Sequence, residues 1–347
     1  MFKENKTVVL AAGGTGGHVM PALATGQDLD HKGYHSLYII DERVQNLFNQ
    51  ETCFVLPIKR PHLKSVTFWY SFLKSFMRVF LYLKRIKPLY VIAFGGYCCL
   101  PTMLAAIILR IPLYLHEQNA ILGQSHRLFL PFAKKLFLSF ETTLNIPEHF
   151  KKKCHVTGMP VRCSFYAPQK PSCSSDFTLL ILGGSQGASV FSHVIPQSLK
   201  LLPPLLQSKC HVYQQCREEM LDETRSSYTT HQFSGQVTLQ PFFDNIIDYM
   251  EKAHLIISRA GASTLAELAL LDKKALFIPL STAIYDHQTL NAQAQCDKDG
   301  GWIMDEVTLT PQALATFIEK YYRDFKALKY MNKKNNRQSP VSLLNFI

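Results

Sequence analysis

The chain has 347 residues, 47% of them hydrophobic and 18% charged. That is apolar material for one or two full cores, and it excludes a disordered, collagen-like or low-complexity chain. The nine cysteines are scattered and form no C-x-x-C pair, so they read as reduced intracellular thiols rather than a disulfide framework or zinc site. The net charge of +11 is concentrated early: residues 1–157 hold 19 Lys/Arg against 9 Asp/Glu, and residues 158–347 hold 18 against 17. Between Thr52 and His116 there are nine basic residues and no acidic one. Such a polarised surface suits an anionic partner: nucleic acid, anionic membrane or phosphorylated substrate.

In chain order, the first apolar run is Val8 to Ala12, too short for a secretory signal. It leads into Gly13-Gly14-Thr15-Gly16-Gly17-His18 and then a helix-compatible segment. Strands are expected at His35–Ile40, Tyr90–Phe94 and Pro112–His116. Lys87 and Arg110 bracket 22 uncharged residues, but Pro88, Gly95-Gly96 and Pro101 favour strand, glycine turn and helix over a membrane span. Leu179 to Leu182 then runs into Gly183-Gly184-Ser185-Gln186-Gly187-Ala188 and repeats the opening pattern. Strands are expected again at Leu255–Ser258 and Ala275–Pro279. Each glycine turn reads as the first βα unit of a doubly wound parallel sheet, so the chain is α/β with two Rossmann-like domains. Pro160 with Pro168–Ser175, a region rich in Pro, Ser and Cys, is the expected linker.

A glycine turn between a parallel strand and a helix lets backbone N–H groups and the helix N-terminus meet a phosphate. Three such turns occur, at Gly13–His18, at Gly183–Ala188 and at Arg259-Ala260-Gly261-Ala262-Ser263-Thr264, which points to a diphosphate ligand. A dinucleotide fingerprint is only partial. Val19 stands where its third glycine belongs, although Asp41 follows the second strand as a ribose-binding acid would. No Gly-Lys-Ser/Thr follows any of the glycines, which excludes a P-loop. Asp28-Leu29-Asp30 and Asp297-Lys298-Asp299 lie in helix-like surroundings, where i and i+2 point apart and cannot share a metal ion.

The ordered set Gly13–His18, Gly95-Gly96-Tyr97, His116-Glu117-Gln118-Asn119, Gly158-Met159-Pro160-Val161-Arg162, Gly183–Ala188, Arg259–Ala262 through Glu267, and Asp286-His287-Gln288 with Asn291-Ala292 resembles the MurG family of glycosyltransferases. These enzymes add N-acetylglucosamine to lipid I in peptidoglycan synthesis. The resemblance implies a GT-B fold, two Rossmann-like doubly wound parallel-sheet domains facing across a cleft. Residues 1–157 would form the acceptor and membrane-docking domain and residues 158–309 the UDP-N-acetylglucosamine domain. A helix at about 310–330 would pack back on the first domain, followed by a basic tail, 331–347, with a poorly ordered end. It implies UDP-N-acetylglucosamine as donor, lipid I as acceptor, inversion, and no cofactor, metal or nucleic-acid partner. Another GT-B enzyme acting on a glycolipid, such as a diacylglycerol glycosyltransferase, and a non-catalytic nucleotide-sugar-binding membrane protein remain alternatives.

Carried onto this chain, the resemblance implies that Ser185, Arg162 and the run Ala262, Ser263, Thr264, Leu265, Ala266 hold the UDP moiety. Glu267 would accept from the ribose hydroxyls, the backbone at Phe243 would meet uracil, and Asn119 and Gln288 would read sugar hydroxyls. Thr15, Gly16 and Gly17 would line the site from the first domain. His18 is the candidate general base, since an imidazole titrating near neutrality suits deprotonation of an acceptor hydroxyl. His116 and Glu117 are its runners-up. In Phe68–Ile86, Ser71, Lys74, Ser75, Arg78 and Arg85 recur at helical spacing beside an aromatic face. Trp69, Tyr70, Leu73, Lys74, Phe76, Arg78, Phe80 and Arg85 are therefore expected to dock at an anionic membrane surface. The implied location is peripheral, on the cytoplasmic face of the inner membrane.

Overall fold

The computed structural model describes residues 6–14, 16–48, 52–58, 66–167, 176–184, 187–328 and 342–347. The chain forms two units: Met1–Tyr166 with Ser339–Ile347, and Ala167–Gln338.

The first unit carries a parallel sheet of seven described strands: β1 (Thr7–Ala11), β2 (His35–Asp41), β3 (Cys53–Leu56), β4 (Tyr90–Ala93), β5 (Leu113–Glu117), β6 (Lys135–Leu138) and β7 (Cys154–Val156). Their order is β3-β2-β1-β4-β5-β6-β7. Side chains alternate across β1: Val9 and Ala11 enter one core, Val8 and Leu10 the other. Burial on both faces is why these strands read as continuous apolar runs. One face is covered by α2 (Val66–Ile86), α3 (Leu100–Ile108) and α4 (Gln124–Phe129), the other by α1 (Gly16–His31). The uncharged stretch before Arg110 resolves as strand, glycine turn and helix, with Pro101 in the first turn of α3. No helix among the described residues is long and apolar enough to cross a membrane.

The second unit carries β8 (Phe177–Leu182), β9 (Cys210–Gln215), β10 (Gln236–Gln240), β11 (Leu255–Ser258), β12 (Ala275–Phe277) and β13 (Trp302–Ile303). They are ordered β10-β9-β8-β11-β12-β13 and all parallel. Its described helices are α5 (Ser189–Lys200), α6 (Pro204–Gln207), α7 (Leu221–Thr230), α8 (Ile246–Lys252), α9 (Ala262–Leu270), α10 (His287–Asp299) and α11 (Pro311–Leu328).

Three expectations about organisation are corrected. The boundary falls after Tyr166, not after residue 157. The backbone N–H groups of Thr157 and Gly158 donate to Leu138 on β6, Cys163 N donates to Gln27 on α1, and Phe165 is fully buried. Those ties keep Gly158–Arg162 with the first sheet. Pro168–Ser175 lies outside the described residues. The helix expected to reach back to the first unit, α11, instead buries Leu314, Ala315 and Ile318 in the core of the second, against α5. What joins the first unit is the end of the tail. Leu343 enters the core beside Val8 and Leu10, Phe346 lies on Phe137 at 6.4 Å, and Ser342 Oγ donates to Asp28 Oδ2 at 2.5 Å. Lys135 Nζ donates to the Phe346 carbonyl. Leu343, Leu344, Phe346 and Ile347 are apolar, and their burial outweighs the basic stretch before them.

Candidate active site

In an open parallel sheet, ligands bind beyond the carboxyl ends of the strands where the strand order reverses. That point lies between β1 and β4 in the first unit and between β8 and β11 in the second. The glycine turns occupy both: Gly13–Gly17 follows β1, Gly95-Gly96 follows β4, Gly183–Gly187 follows β8, and Ala260-Gly261 follows β11.

At the first switch point, His18 is in the opening turn of α1 and half-buried. The end of β5 supplies a buried polar cluster beside it. Glu117 Oε1 accepts from Asn119 N at 3.0 Å and Asn119 Nδ2 at 3.2 Å. Glu117 Oε2 accepts from Gly123 N and His126 Nδ1, each at 2.9 Å. Burial raises the Glu117 pKa, but the His126 ring and these backbone donors outweigh it and bring it down to about 2. Next to it, His116 Nε2 is 3.3 Å from the Gly158 carbonyl and His116 Nδ1 is 3.1 Å from Gln118 Nε2. Burial pushes the His116 pKa down to about 4, with partial compensation from the Gly158 bond. Gln118 Oε1 and His126 Nε2 are buried with no hydrogen-bond partner among the described residues. Arg162 lies over the Phe165 ring at 5.1 Å.

Asp41 does not serve as a ribose acid here. Its carboxylate is 1% exposed, accepts from Gly14 N at 2.7 Å, and is paired with Arg43 at 2.9 Å. It therefore braces the glycine turn from beneath. Arg43 in turn lies over the Tyr97 ring at 5.2 Å.

At the second switch point, α9 begins at Ala262 directly after Gly261. Ala262 and Leu265 are buried, and Ser263, Thr264 and Ala266 are half-buried in its first two turns. Ser263 Oγ has no hydrogen-bond partner among the described residues. Glu267 is buried one turn further on. Arg259, although adjacent to this run, points inward. Its Nη1 donates to the Ile278 and Pro279 carbonyls, each at 3.1 Å, and its Nη2 pairs with Glu306. It therefore holds the turn in place instead of facing a phosphate. Gln288 Oε1 accepts from Leu280 N at 3.0 Å, and Asn291 Nδ2 donates to the Ala260 carbonyl at 3.3 Å. The Phe243 ring is buried 4.5 Å from Tyr249, so any ligand contact there falls to its backbone. Among the described residues no group of His, Cys, Asp and Glu could hold a metal ion.

Residues 8–138 match the Glycosyltransferase family 28 N-terminal domain and residues 178–345 its C-terminal domain. The UDP-N-acetylglucosamine–N-acetylmuramyl-(pentapeptide) pyrophosphoryl-undecaprenol N-acetylglucosamine transferase of Granulibacter bethesdensis is 37% identical over 337 residues, 91% of this chain and 85% of that protein. The protein of the same name from Rickettsia bellii is 34% identical over 99% of both. Among solved structures, MurG of Acinetobacter baumannii matches with a TM-score of 0.70 and 27% identity, covering 95% of this chain and 96% of that one. The chain belongs to glycosyltransferase family 28. Its two parallel α/β sheets are those of the GT-B fold, and it is a MurG-like glycosyltransferase.

Of the residues the resemblance singles out, the first unit carries Gly16, Gly17, His18, Asn119 and Arg162, and the second carries Phe243, Ala262–Glu267 and Gln288. Arg162, expected with the UDP domain, belongs to the first unit. Thr15 and Ser185 lie outside the described residues. His126 was not singled out by sequence. The signal that could have found it was its place nine residues after Glu117, in a turn that opens with Gly123.

Helix α2, expected to dock at a membrane, also departs from expectation. Ser71 and Ser75, read as part of a narrow polar stripe, are buried, and Phe76 and Phe80, expected at the membrane surface, pack on the first core. The sheet-facing arc runs through Phe68, Ser71, Ser75, Val79 and Leu83. The opposite arc exposes Trp69, Tyr70, Leu73, Met77 and Leu81, edged by Lys74, Arg78 and Arg85.

Proposed function

We propose that this chain transfers N-acetylglucosamine from UDP-N-acetylglucosamine to the 4-hydroxyl of the N-acetylmuramyl unit of lipid I, giving lipid II with inversion and without a metal. The observation that carries this is a pair of glycine turns at the two switch points, one followed by Thr264 and buried Glu267, the other by His18. Relatives named for this reaction span nearly the whole chain.

In this reading the second unit holds the donor. The first turn of α9, with Ser263 and Thr264, and the turn carrying Ser185 present N–H and hydroxyl donors to the diphosphate. Glu267 accepts from both ribose hydroxyls, a task suited to a carboxylate. Ala262, Leu265 and Ala266 place this turn, and the Phe243 backbone meets uracil. Gln288, whose carbonyl is held by Leu280, donates its amide to the sugar. The first unit holds the acceptor against Thr15, Gly16 and Gly17. Asn119, whose amide nitrogen is held by Glu117, offers its carbonyl oxygen to a sugar hydroxyl. As the 4-oxygen bonds to the anomeric carbon, its proton passes to His18 and the bond to UDP breaks. Arg162 and the helix N-termini stabilise the charge that develops on the departing diphosphate.

Lipid I stays in the bilayer, so the enzyme meets its acceptor at a membrane. The exposed apolar arc of α2 with its basic edge is the surface we assign to that contact, on the anionic cytoplasmic leaflet of the inner membrane. The deciding assay is turnover of labelled UDP-N-acetylglucosamine with lipid I, run beside UDP calorimetry. Wild-type protein should make lipid II, and Glu267→Ala should lose UDP affinity by about 1.5–3 kcal/mol, the contribution of hydrogen bonds to a charged group. Nucleotide-sugar binding without lipid II formation would refute the assignment.

A further inference from the structure

The glycine turn after β4 sets a second histidine against the first. Gly95 has φ +98°, and a Cβ built on it would lie 3.2 Å from His18 Cδ2, 3.1 Å from His126 Cε1 and 3.3 Å from His126 Nε2. The two imidazoles therefore crowd one bare Cα, and its positive φ and these close approaches both favour glycine there. His126 is 1% exposed, and its Nδ1 is bonded to Glu117 Oε2. An ionised carboxylate only accepts, so Nδ1 carries the hydrogen and, on the neutral ring, Nε2 bears the lone pair. That Nε2 is the edge turned toward Gly95, and it is buried without a hydrogen-bond partner among the described residues.

We propose that Glu117 and His126 form a positioning dyad for His18: the carboxylate fixes the tautomer and plane of His126, and His126 backs the His18 ring across Gly95. This rests on the reading of His18 as general base. A base needs a third group to orient it, as in any nucleophile–base–orienter arrangement. The proton that His18 takes up is a new positive charge, and the Glu117 anion behind His126 favours it. The titratable groups around His126 are Glu117 and His116 from β5 and, across Gly95, His18 from α1, while the Cys99 thiol donates to the Gly95 carbonyl at 2.8 Å. Arg127 on its own helix is exposed.

The test uses the full chain with UDP-N-acetylglucosamine and a soluble lipid I analogue. His126→Asn keeps an amide donor where Nδ1 stands, so Glu117 stays paired, and it removes the Nε2 edge that faces Gly95. His126→Gln, which places its amide nitrogen at the Nε2 position, is the second variant should the first not fold. The dyad requires kcat to fall by about tenfold or more, part of the roughly 10²–10⁴-fold contributed by a positioned base. KM for UDP-N-acetylglucosamine should stay within about twofold, and the acid limb of the kcat–pH profile should move. A wild-type pH profile in a folded variant, whatever its kcat, overturns the proposal and leaves His126 a packing residue. His18→Ala is measured alongside. If it loses turnover while the His126 variants titrate as wild type, only the dyad fails. If it keeps wild-type turnover, the base reading fails and the dyad with it.

Discussion

Acidification should destabilise the first unit through one side chain, His116. It is fully buried at the end of β5, its ring 5.4 Å from that of Phe94. The Gln118 amide, which only donates, faces Nδ1 at 3.1 Å, and the Gly158 carbonyl, which only accepts, faces Nε2 at 3.3 Å. Both partners are satisfied by the neutral ring with its hydrogen on Nε2 and by no other form. Protonating Nδ1 would set a donor against a donor at a fully buried position. Burial accordingly lowers its pKa from 6.5 to about 4. As pH falls below 6.5 the unfolded chain takes up a proton that the folded chain refuses until about pH 4. The stability contribution is therefore whole above pH 6.5 and is lost progressively down to about pH 4. At about 1.4 kcal/mol per pKa unit the loss is about 3 kcal/mol. Urea unfolding of wild type and His116→Gln at neutral and mildly acid pH measures it. Gln keeps the donor toward Gly158 and has no proton to gain. Its stability should start lower and fall less on acidification, the two curves converging by about 3 kcal/mol. Parallel curves would show that His116 does not titrate in this way.

Three further outcomes are expected. Gly26→Ala should destabilise by about 1–3 kcal/mol through overpacking, because its Cβ would stand 1.8 Å from the buried Tyr38 hydroxyl. An unchanged thermal midpoint would mean that α1 shifts freely on β2. Arg259→Met should cost about 1–3 kcal/mol, since the buried Ile278 and Pro279 carbonyls lose their donor and Glu306 its cation, and Arg259→Met with Glu306→Leu should recover part of it. A double variant no better than the single one would remove the ion pair as the cause. Replacing Lys74, Arg78 and Arg85 by Glu should weaken binding to anionic vesicles by at least about tenfold, given about 1 kcal/mol per basic residue near the surface. Salt-insensitive binding of equal strength would place the docking face elsewhere.

The parts of this molecule that can be read from sequence are those where one physical demand dominates. β1, β4, β8 and β11 lie mid-sheet, are buried on both faces and end in glycine, so each is an apolar run with a visible stop. β9 is written Cys-His-Val-Tyr-Gln-Gln because only alternate side chains are buried, and β3, β6, β7, β10 and β13 are short or lie near an edge. Such segments have no signature apart from the strands they pair with. The site loops were legible for the same reason as the central strands, since glycine marks where a backbone must turn or be approached. Side-chain direction was not. Asp41, Arg259 and Ser75 are polar residues that the sequence sets after a strand, at the head of a glycine turn and in a polar stripe. Each is instead turned inward, toward the Gly14 amide, Glu306 and the core. Helix α2 shows why. Both of its arcs are apolar, one with two serines and the other with three basic residues along its rim, so spacing identifies the arcs but not which one meets the sheet. That choice is made by what the sheet offers in return. Phe54 on β3 stacks on Tyr82 at 4.5 Å and lies 5.3 Å beneath Arg78. The helix thus seats the serine-bearing arc inward and leaves Trp69, Tyr70, Leu73, Met77 and Leu81 in solvent. An apolar face that the fold could have buried and did not is a stronger pointer to a membrane partner than the basic residues that first drew attention to it.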